Sequence, residues 1–202
     1  DINNEEKDSF DEIEKFEDLD IDDNIIRGVF SYGFEKPSPI QQKAIRPVLS
    51  GRDVIAQAQS GTGKTGAFVI GSLERVNEEE KATQVIIISP TRELSKQTTE
   101  VVSELSKYMG ITHLEVIGGT DIFKCRSDLD KLPQIIIGTP GRILDMLTKQ
   151  SIFTDKLVSL IFDEADEILS YGFKETIYHI VKTIPETCQI SLFSATMPDE
   201  VI

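Results

Sequence analysis

Ala58-Gln59-Ser60-Gly61-Thr62-Gly63-Lys64-Thr65 follows directly on the apolar run Val54-Ile55-Ala56. Such a run reads as a buried strand, and a glycine-rich turn leading from a strand into a helix is a phosphate cradle. Gly61 and Gly63 let the backbone fold tightly enough for successive N–H groups to point at phosphate oxygens. Lys64 then opens a helix whose positive end faces the same anion. On this reading Ser60, Gly61, Thr62 and Gly63 surround the phosphates and the Lys64 ammonium reaches the β- and γ-phosphates. The Thr65 hydroxyl ligates magnesium. The general pattern has glycine where this chain has Ala58, at its least critical position.

Further along, Asp163-Glu164-Ala165-Asp166 ends the apolar run Ser159-Leu160-Ile161-Phe162. An aspartate at the carboxyl end of a strand can hold magnesium, and Glu164 can orient or deprotonate an attacking water. Acids at a helix start also have a purely structural use, since they favour the helix dipole. The two stretches in this order point to nucleoside triphosphate chemistry, with Lys64, Asp163 and Glu164 as its catalytic groups.

Apolar runs recur at 54–56, 85–88, 115–117, 135–137, 160–162 and 190–193. Most are continuous rather than alternating, which suits parallel strands covered on both faces. Helical stripes lie between them, one of Leu94, Thr98, Val101, Val102, Leu105 and Met109, another of Phe173, Ile177, Ile180, Val181 and Ile184. Alternating strands and helices with right-handed crossovers give an α/β fold, a doubly wound, mostly parallel sheet with helices on both faces. In such sheets ligands collect beyond the carboxyl ends of the strands.

A polar or glycine-rich cluster follows every run. Besides the two stretches above these are Pro90-Thr91-Arg92-Glu93, Gly118-Gly119, Thr139-Pro140-Gly141-Arg142 and Ser194-Ala195-Thr196. Thr91 and Thr139 can cap helices and leave N–H groups and hydroxyls for phosphates, while Arg92 and Arg142 add charge. Gly118-Gly119 permits close backbone approach. Nothing here resembles base readout, so the expected partner is a nucleic-acid backbone bound without regard to sequence.

Composition agrees with one large domain. The 202 residues are 39% hydrophobic and 28% charged, as in ordinary globular chains. No apolar run approaches the 18 or so residues of a membrane span and no signal peptide is visible, so no membrane partner is expected. Cys125, Cys188, His113 and His179 show no metal-ligand or redox spacing, and a reducing compartment is the inference. The net charge of −14 is uneven. Residues 1–23 hold twelve acids against Lys7 and Lys15, and the remaining 23 acids meet 19 bases. Residues 1–12 are expected to form an acidic disordered tail, with the folded domain spanning 13–202.

These clusters, with Phe16 and Gly33-Phe34-Glu35-Lys36-Pro37-Ser38-Pro39-Ile40-Gln41, stand in the order of the DEAD-box RNA helicases, which the chain resembles over about residues 14–202. Within that family it looks most like the eukaryotic translation initiation factor 4A group, from which the exon-junction paralogue is not separable. The resemblance implies the N-terminal RecA-like lobe of an ATP-dependent RNA helicase, using ATP and Mg2+. It implies that Gln41 bonds the adenine edge, that Phe16 packs near that base and that Lys36 belongs to the same pocket. Ser194 and Thr196 would bond the 163–166 segment through Asp166 and couple nucleotide state to RNA. Pro90 to Arg92, Gly118, Gly119 and Thr139 to Arg142 would contact RNA sugar and phosphate.

The resemblance further implies a second RecA-like lobe, carrying arginine fingers and absent from this sequence. Without it little activity is expected. Scaffold or initiation-factor proteins are implied partners, and the cytoplasm the implied compartment, or the nucleus for the exon-junction type. Two other classes stay open at this point: a docking module in which ATP is only structural, and a different P-loop enzyme such as a small-molecule kinase.

Overall fold

The structure, a computed structural model, describes residues 10–199 and 201. Its elements in chain order begin with a 3-10 turn, Phe16–Asp18, and two helices, α1 (Asp23–Tyr32) and α2 (Pro39–Leu49). Strand β1 (Val54–Gln57), α3 (Lys64–Glu74), β2 (Val85–Ile88), α4 (Arg92–Leu105) and β3 (His113–Val116) follow. The rest is α5 (Ile122–Leu129), β4 (Ile135–Gly138), α6 (Pro140–Thr148), β5 (Ser159–Asp163), α7 (Ala165–Ser170), α8 (Lys174–Val181) and β6 (Gln189–Ser194). Among the described residues no helix is long and apolar enough to cross a membrane.

The six strands form one sheet in the order β1-β6-β5-β2-β4-β3, and every adjacent pair is parallel. From β1 the chain steps across to β2 and on to β3, then returns through β4, β5 and β6. With right-handed crossovers, reversing direction moves the connecting helices to the opposite face. The packing agrees. Val85 and Ile87 of β2 point into a core with side chains of α1 to α4, such as Val29, Ile45, Phe68 and Leu105. Ile86 and Ile88 point the other way, to a core with Leu129, Met146, Ile168 and Ile180 of α5 to α8. Both faces are covered, which is why β2, β4 and β5 are buried at every position.

The expected strands differ mainly at their ends. β3 covers 113–116 rather than 115–117, because it is an edge strand where half-buried His113 and Glu115 need not be apolar. β1, β4, β5 and β6 each run one residue past the apolar stretch, to Gln57, Gly138, Asp163 and Ser194, since ladder pairing continues where side-chain apolarity stops. α4 ends at Leu105 and α8 at Val181, so Met109 and Ile184 pack on the cores from the following turns.

Residues 1–9 of the expected tail lie outside the described residues. Phe10, Asp11 and Glu12 are exposed, though Arg46 donates to the Asp11 carbonyl at 2.8 Å. Ile13 is buried, and its N–H donates to Gln42 O, fastening this end to α2.

Candidate nucleotide site and nucleic-acid edge

The sheet order divides the carboxyl edge into two halves. β1, β6 and β5 carry the phosphate loop, Ser194 to Thr196 and Asp163 to Asp166. β2, β4 and β3 carry Pro90 to Arg92, Thr139 to Arg142 and Gly118-Gly119. The halves meet at β5 and β2, where Phe162 is in register with Ile88.

In the first half, Ala58 N–H donates to Ser194 O at 2.9 Å, so the loop departs from a strand end held on β6. Gly61 and Gly63 have φ of +79° and +90°, the left-handed region that a side chain disfavours. Gly63 has a second reason to be glycine. A Cβ there would stand 2.7 Å from Ser38 Oγ and 2.8 Å from Gln41 Nε2. Ser60, Gly61 and Thr62 are exposed, Thr65 half-buried, and Lys64 buried as the first residue of α3.

The Lys64 ammonium lies 3.0 Å from Asp163 Oδ1 and donates to Glu164 Oε1. Ser60 Oγ donates to the same Glu164 oxygen at 2.6 Å. Burial opposes charge on Lys64, but the Asp163 and Glu164 carboxylates outweigh it and hold the ammonium above the ordinary lysine value. Burial pushes the Asp163 carboxyl upward, against the pull of Lys64. Glu164 has φ +52°, so the acid that caps α7 holds a backbone conformation rare for a side-chain-bearing residue.

A cleft of about 410 Å³ opens beside this cluster, lined by Lys64, Thr65, Asp163 and Glu164 and walled by Tyr32 and Phe34. The donors suit a hard divalent cation: one hydroxyl at Thr65 and one carboxylate at Asp163, both oxygen. Among the described residues no group of three or more His, Cys, Asp or Glu gathers to hold a metal, so the protein donors here are only part of a coordination shell. The residues therefore fit Mg2+ bound together with a triphosphate, where it would neutralise phosphate charge.

The third cluster of this half closes on the second. Asp166 N–H donates to buried Ser194 Oγ at 3.1 Å, and Thr196 donates to Asp166 Oδ2 from its hydroxyl at 2.9 Å and its N–H at 3.3 Å. Burial alone would raise the Asp166 carboxyl, but hydrogen bonding by the Thr196 hydroxyl first, then by Ser194 and nearby backbone N–H groups, holds it below the usual aspartate value.

Of the three residues expected around the base, two are buried. Phe16 is fully buried, its ring 6.3 Å from Phe34 and 6.2 Å from Phe30, so it supports the aromatic wall and offers no face to a base. Gln41 is also buried. Its Oε1 accepts Ser38 N–H in the capping box of α2, and its Nε2 donates to Gly63 O at 3.1 Å. The amide nitrogen thus joins α2 to the phosphate loop, while the amide oxygen caps the same helix. Lys36 is exposed.

The second half converges on the β3–α5 loop. Arg142 donates to Thr120 Oγ1 at 3.1 Å and to Thr120 O at 2.9 Å. The Arg92 guanidinium lies over Gly119, where a Cβ would come within 2.4 Å of Nη1. Thr91 caps α4 by accepting Leu94 N–H. Thr139 makes no such cap. Its hydroxyl accepts Gly118 N–H at 3.3 Å, tying the two loops together. Pro90 and Pro140 are buried, so their part is to shape the chain at the starts of α4 and α6 rather than to touch a backbone. Gly119 and Gly141 are exposed, and Gly118, Thr139 and Arg142 half-buried. The aromatic wall at Tyr32 and the Thr120 anchor carry no mark in the sequence patterns, because each acts through a neighbour distant in the chain.

A glycine loop ending one strand, a lysine held by the acids ending another, and a parallel sheet between two helix layers define a RecA-like P-loop nucleotide-binding domain. The chain belongs to the DEAD/DEAH box helicase family, whose sequence pattern matches residues 38–202. It is 54% identical over 192 residues to the ATP-dependent RNA helicase eIF4A of Candida albicans, covering 93% of this chain and 47% of that protein. The Aspergillus niger protein of the same name is 47% identical over 198 residues, covering 96% of this chain and 49% of that one. The chain therefore spans about half the length of the curated relatives it matches.

Among solved structures, a DEAD box protein from Methanococcus jannaschii superposes with a TM-score of 0.88 at 36% identity, over 94% of this chain and 52% of that one. A Saccharomyces cerevisiae Dbp5 variant bound to RNA and ADP BeF3 gives 0.83 at 35% identity, over 94% and 48%.

Proposed function

We propose that this chain is the ATP- and RNA-binding lobe of an ATP-dependent RNA helicase that remodels RNA, with translation initiation as its setting. The observation that carries the proposal is the division of the carboxyl edge. Phosphate loop, acids and Ser194 to Thr196 occupy one half, the arginine–glycine loops occupy the other, and β5 and β2 join them. The eIF4A name of relatives about half identical supports the setting.

In this reading a triphosphate takes over the Lys64 ammonium and the N–H groups of 60–65. Thr65 and Asp163 would hold Mg2+, which supplies charge neutralisation on the phosphates. Glu164, released from Lys64, orients the attacking water and accepts its proton. Asp166, held by Ser194 and Thr196, ties the acids to β6, so a shift of the nucleotide half is felt at the sheet edge. Arg92, Arg142, Gly119 and Thr139 hold RNA sugar and phosphate without reading bases.

Completion of the site by a second RecA-like lobe with arginine fingers, scaffold or initiation-factor partners, and a cytoplasmic location are parts of the same proposal. So is an acidic tail ahead of a domain that starts at Ile13.

The test is steady-state ATP hydrolysis by the 202-residue chain, with and without single-stranded RNA, beside a nucleotide titration of Lys64→Ala. Weak nucleotide binding lost in Lys64→Ala, with little turnover, is the expected result. Robust RNA-stimulated turnover by this chain alone would overturn the need for a second lobe. Unchanged nucleotide affinity in Lys64→Ala would overturn the phosphate-loop assignment.

A further inference from the structure

Phe123 shows 80% of its surface to solvent, more than any other exposed large apolar side chain among the described residues. The geometry of α5 explains the exposure. The helix buries Cys125 and Leu129 and packs Ile122 against the same core. Residues 122, 125 and 129 share one stripe, and position 123 lies about 100° around the helix from 122, off that stripe. A single exposed phenyl is ordinary in itself. Its address is not ordinary.

Phe123 stands three residues beyond Thr120 and two beyond Asp121, which caps α5 through Lys124 N–H at 2.9 Å. Thr120 is held at its hydroxyl and carbonyl by Arg142, and Gly119 lies under the Arg92 guanidinium. The loop that brings the two arginines together thus ends at this ring. The last turn of α5 is fixed as well, since Arg126 Nε donates to Ser151 Oγ at 3.0 Å beyond α6. The ring is carried on a rigid element at the rim of a basic, glycine-rich track.

A single strand gripped by sugar and phosphate leaves its bases unpaired and free to stack. Aromatic side chains beside a basic track are the usual platforms for them, and they serve any base because every base has a π-face. We propose that Phe123 is a base-stacking platform for single-stranded RNA at the β3–α5 end of the track. It adds a sequence-tolerant contact with a base to a surface that otherwise touches only backbone. The inference rests on the RNA-binding reading of the arginine–glycine loops.

The chain contains no tryptophan, so Phe123→Trp installs a single indole, excited apart from the four tyrosines, at the platform. Two short probes are titrated, oligoadenylate and a base-free ribose-phosphate strand of equal length, with binding also followed by anisotropy of the labelled strands. The indole fluorescence of Phe123→Trp should be quenched by oligoadenylate and not by the base-free strand. A control variant, Phe153→Trp, places the indole at an exposed ring elsewhere and should stay unquenched. Stacking is worth roughly 1–3 kcal/mol per base, so Phe123→Ala should weaken oligoadenylate binding by about 5- to 140-fold. Phe123→Tyr should retain binding and Phe123→Leu should not, separating a π-face from apolar bulk.

If Arg142→Ala loses binding while Phe123→Ala keeps it, the platform is overturned and the backbone track stands. Equal affinity for the base-free strand overturns the platform in the same way. If neither probe binds the unaltered chain, the track itself is overturned, and the platform with it.

Discussion

Lys64 Nζ lies 3.0 Å from Asp163 Oδ1, joining the glycine loop after β1 to the acids after β5 across the intervening strand β6. Both side chains are almost wholly buried, and Glu164 and Ser60 complete the cluster. A charge cluster so enclosed is kept only because its members satisfy one another.

Lys64→Ala should therefore cost stability as well as nucleotide binding. It leaves Asp163 and Glu164 buried without their cation, and proton uptake by Asp163 limits the loss to about 2–3 kcal/mol. Combining it with Glu164→Gln should recover about 1 kcal/mol, because one of the stranded charges is removed. Denaturant midpoints of the two variants check this, and a double variant no more stable than Lys64→Ala would contradict it.

Thr196→Val should raise the Asp166 carboxyl toward its ordinary value. The Thr196 hydroxyl bond at 2.9 Å is one of the contacts that outweigh burial there. A carboxyl-detected NMR titration of Asp166 reads the change directly. In a two-lobed protein the same variant should reduce the stimulation of ATP hydrolysis by RNA more than the basal rate.

Ser89 and Ser191 are fully buried, with hydroxyls that have no hydrogen-bond partner. Removing an unpaired buried polar atom relieves its desolvation penalty, so Ser89→Ala and Ser191→Ala should be neutral or stabilising by up to about 1 kcal/mol. Thermal melts decide the matter. A drop of several degrees in either variant would mean that the hydroxyl is engaged.

Burial raises the Cys188 thiol from its ordinary 9.0 to about 11, against the opposing pull of Arg75. The folded state therefore holds this proton more tightly than the unfolded state. Its contribution is fully present below pH 9.0 and is lost as pH rises through about 11. The loss should amount to no more than about 2–3 kcal/mol, at about 1.4 kcal/mol per pH unit. Denaturant midpoints on either side of that window should converge in Cys188→Ala, and an unchanged slope would assign the alkaline loss to other groups.

Much of the site is legible locally. The pattern at 58–65 needs only short-range geometry, two glycines with positive φ followed by a helix start, and the chain folds that way. Asp163 to Asp166 likewise follows a run buried on both faces. Other positions show their contacts only in the folded chain. Phe16 and Gln41, whose nucleotide roles are implied by the resemblance alone, are buried, one in the core and the other fastening α2 to the loop. Thr139 reads as a helix cap, yet its hydroxyl serves Gly118, a neighbour only through the pairing of β3 with β4. β3 begins two residues ahead of its apolar run, because an edge strand carries polar side chains that such a run excludes.

Chain neighbours specify the parts: continuous apolar runs that must be buried on both faces, amphipathic helices to cover them, and a polar cluster after every strand. Those follow from periodicity and backbone freedom, which are properties of neighbours in the chain. Which cluster lies beside which is fixed by the folded arrangement of the strands. Strand order is set by crossovers and by packing between residues far apart in sequence. That order places β6 between β1 and β5, so Lys64 can reach Asp163, and groups β2, β4 and β3, so Arg142 and Arg92 meet on one loop.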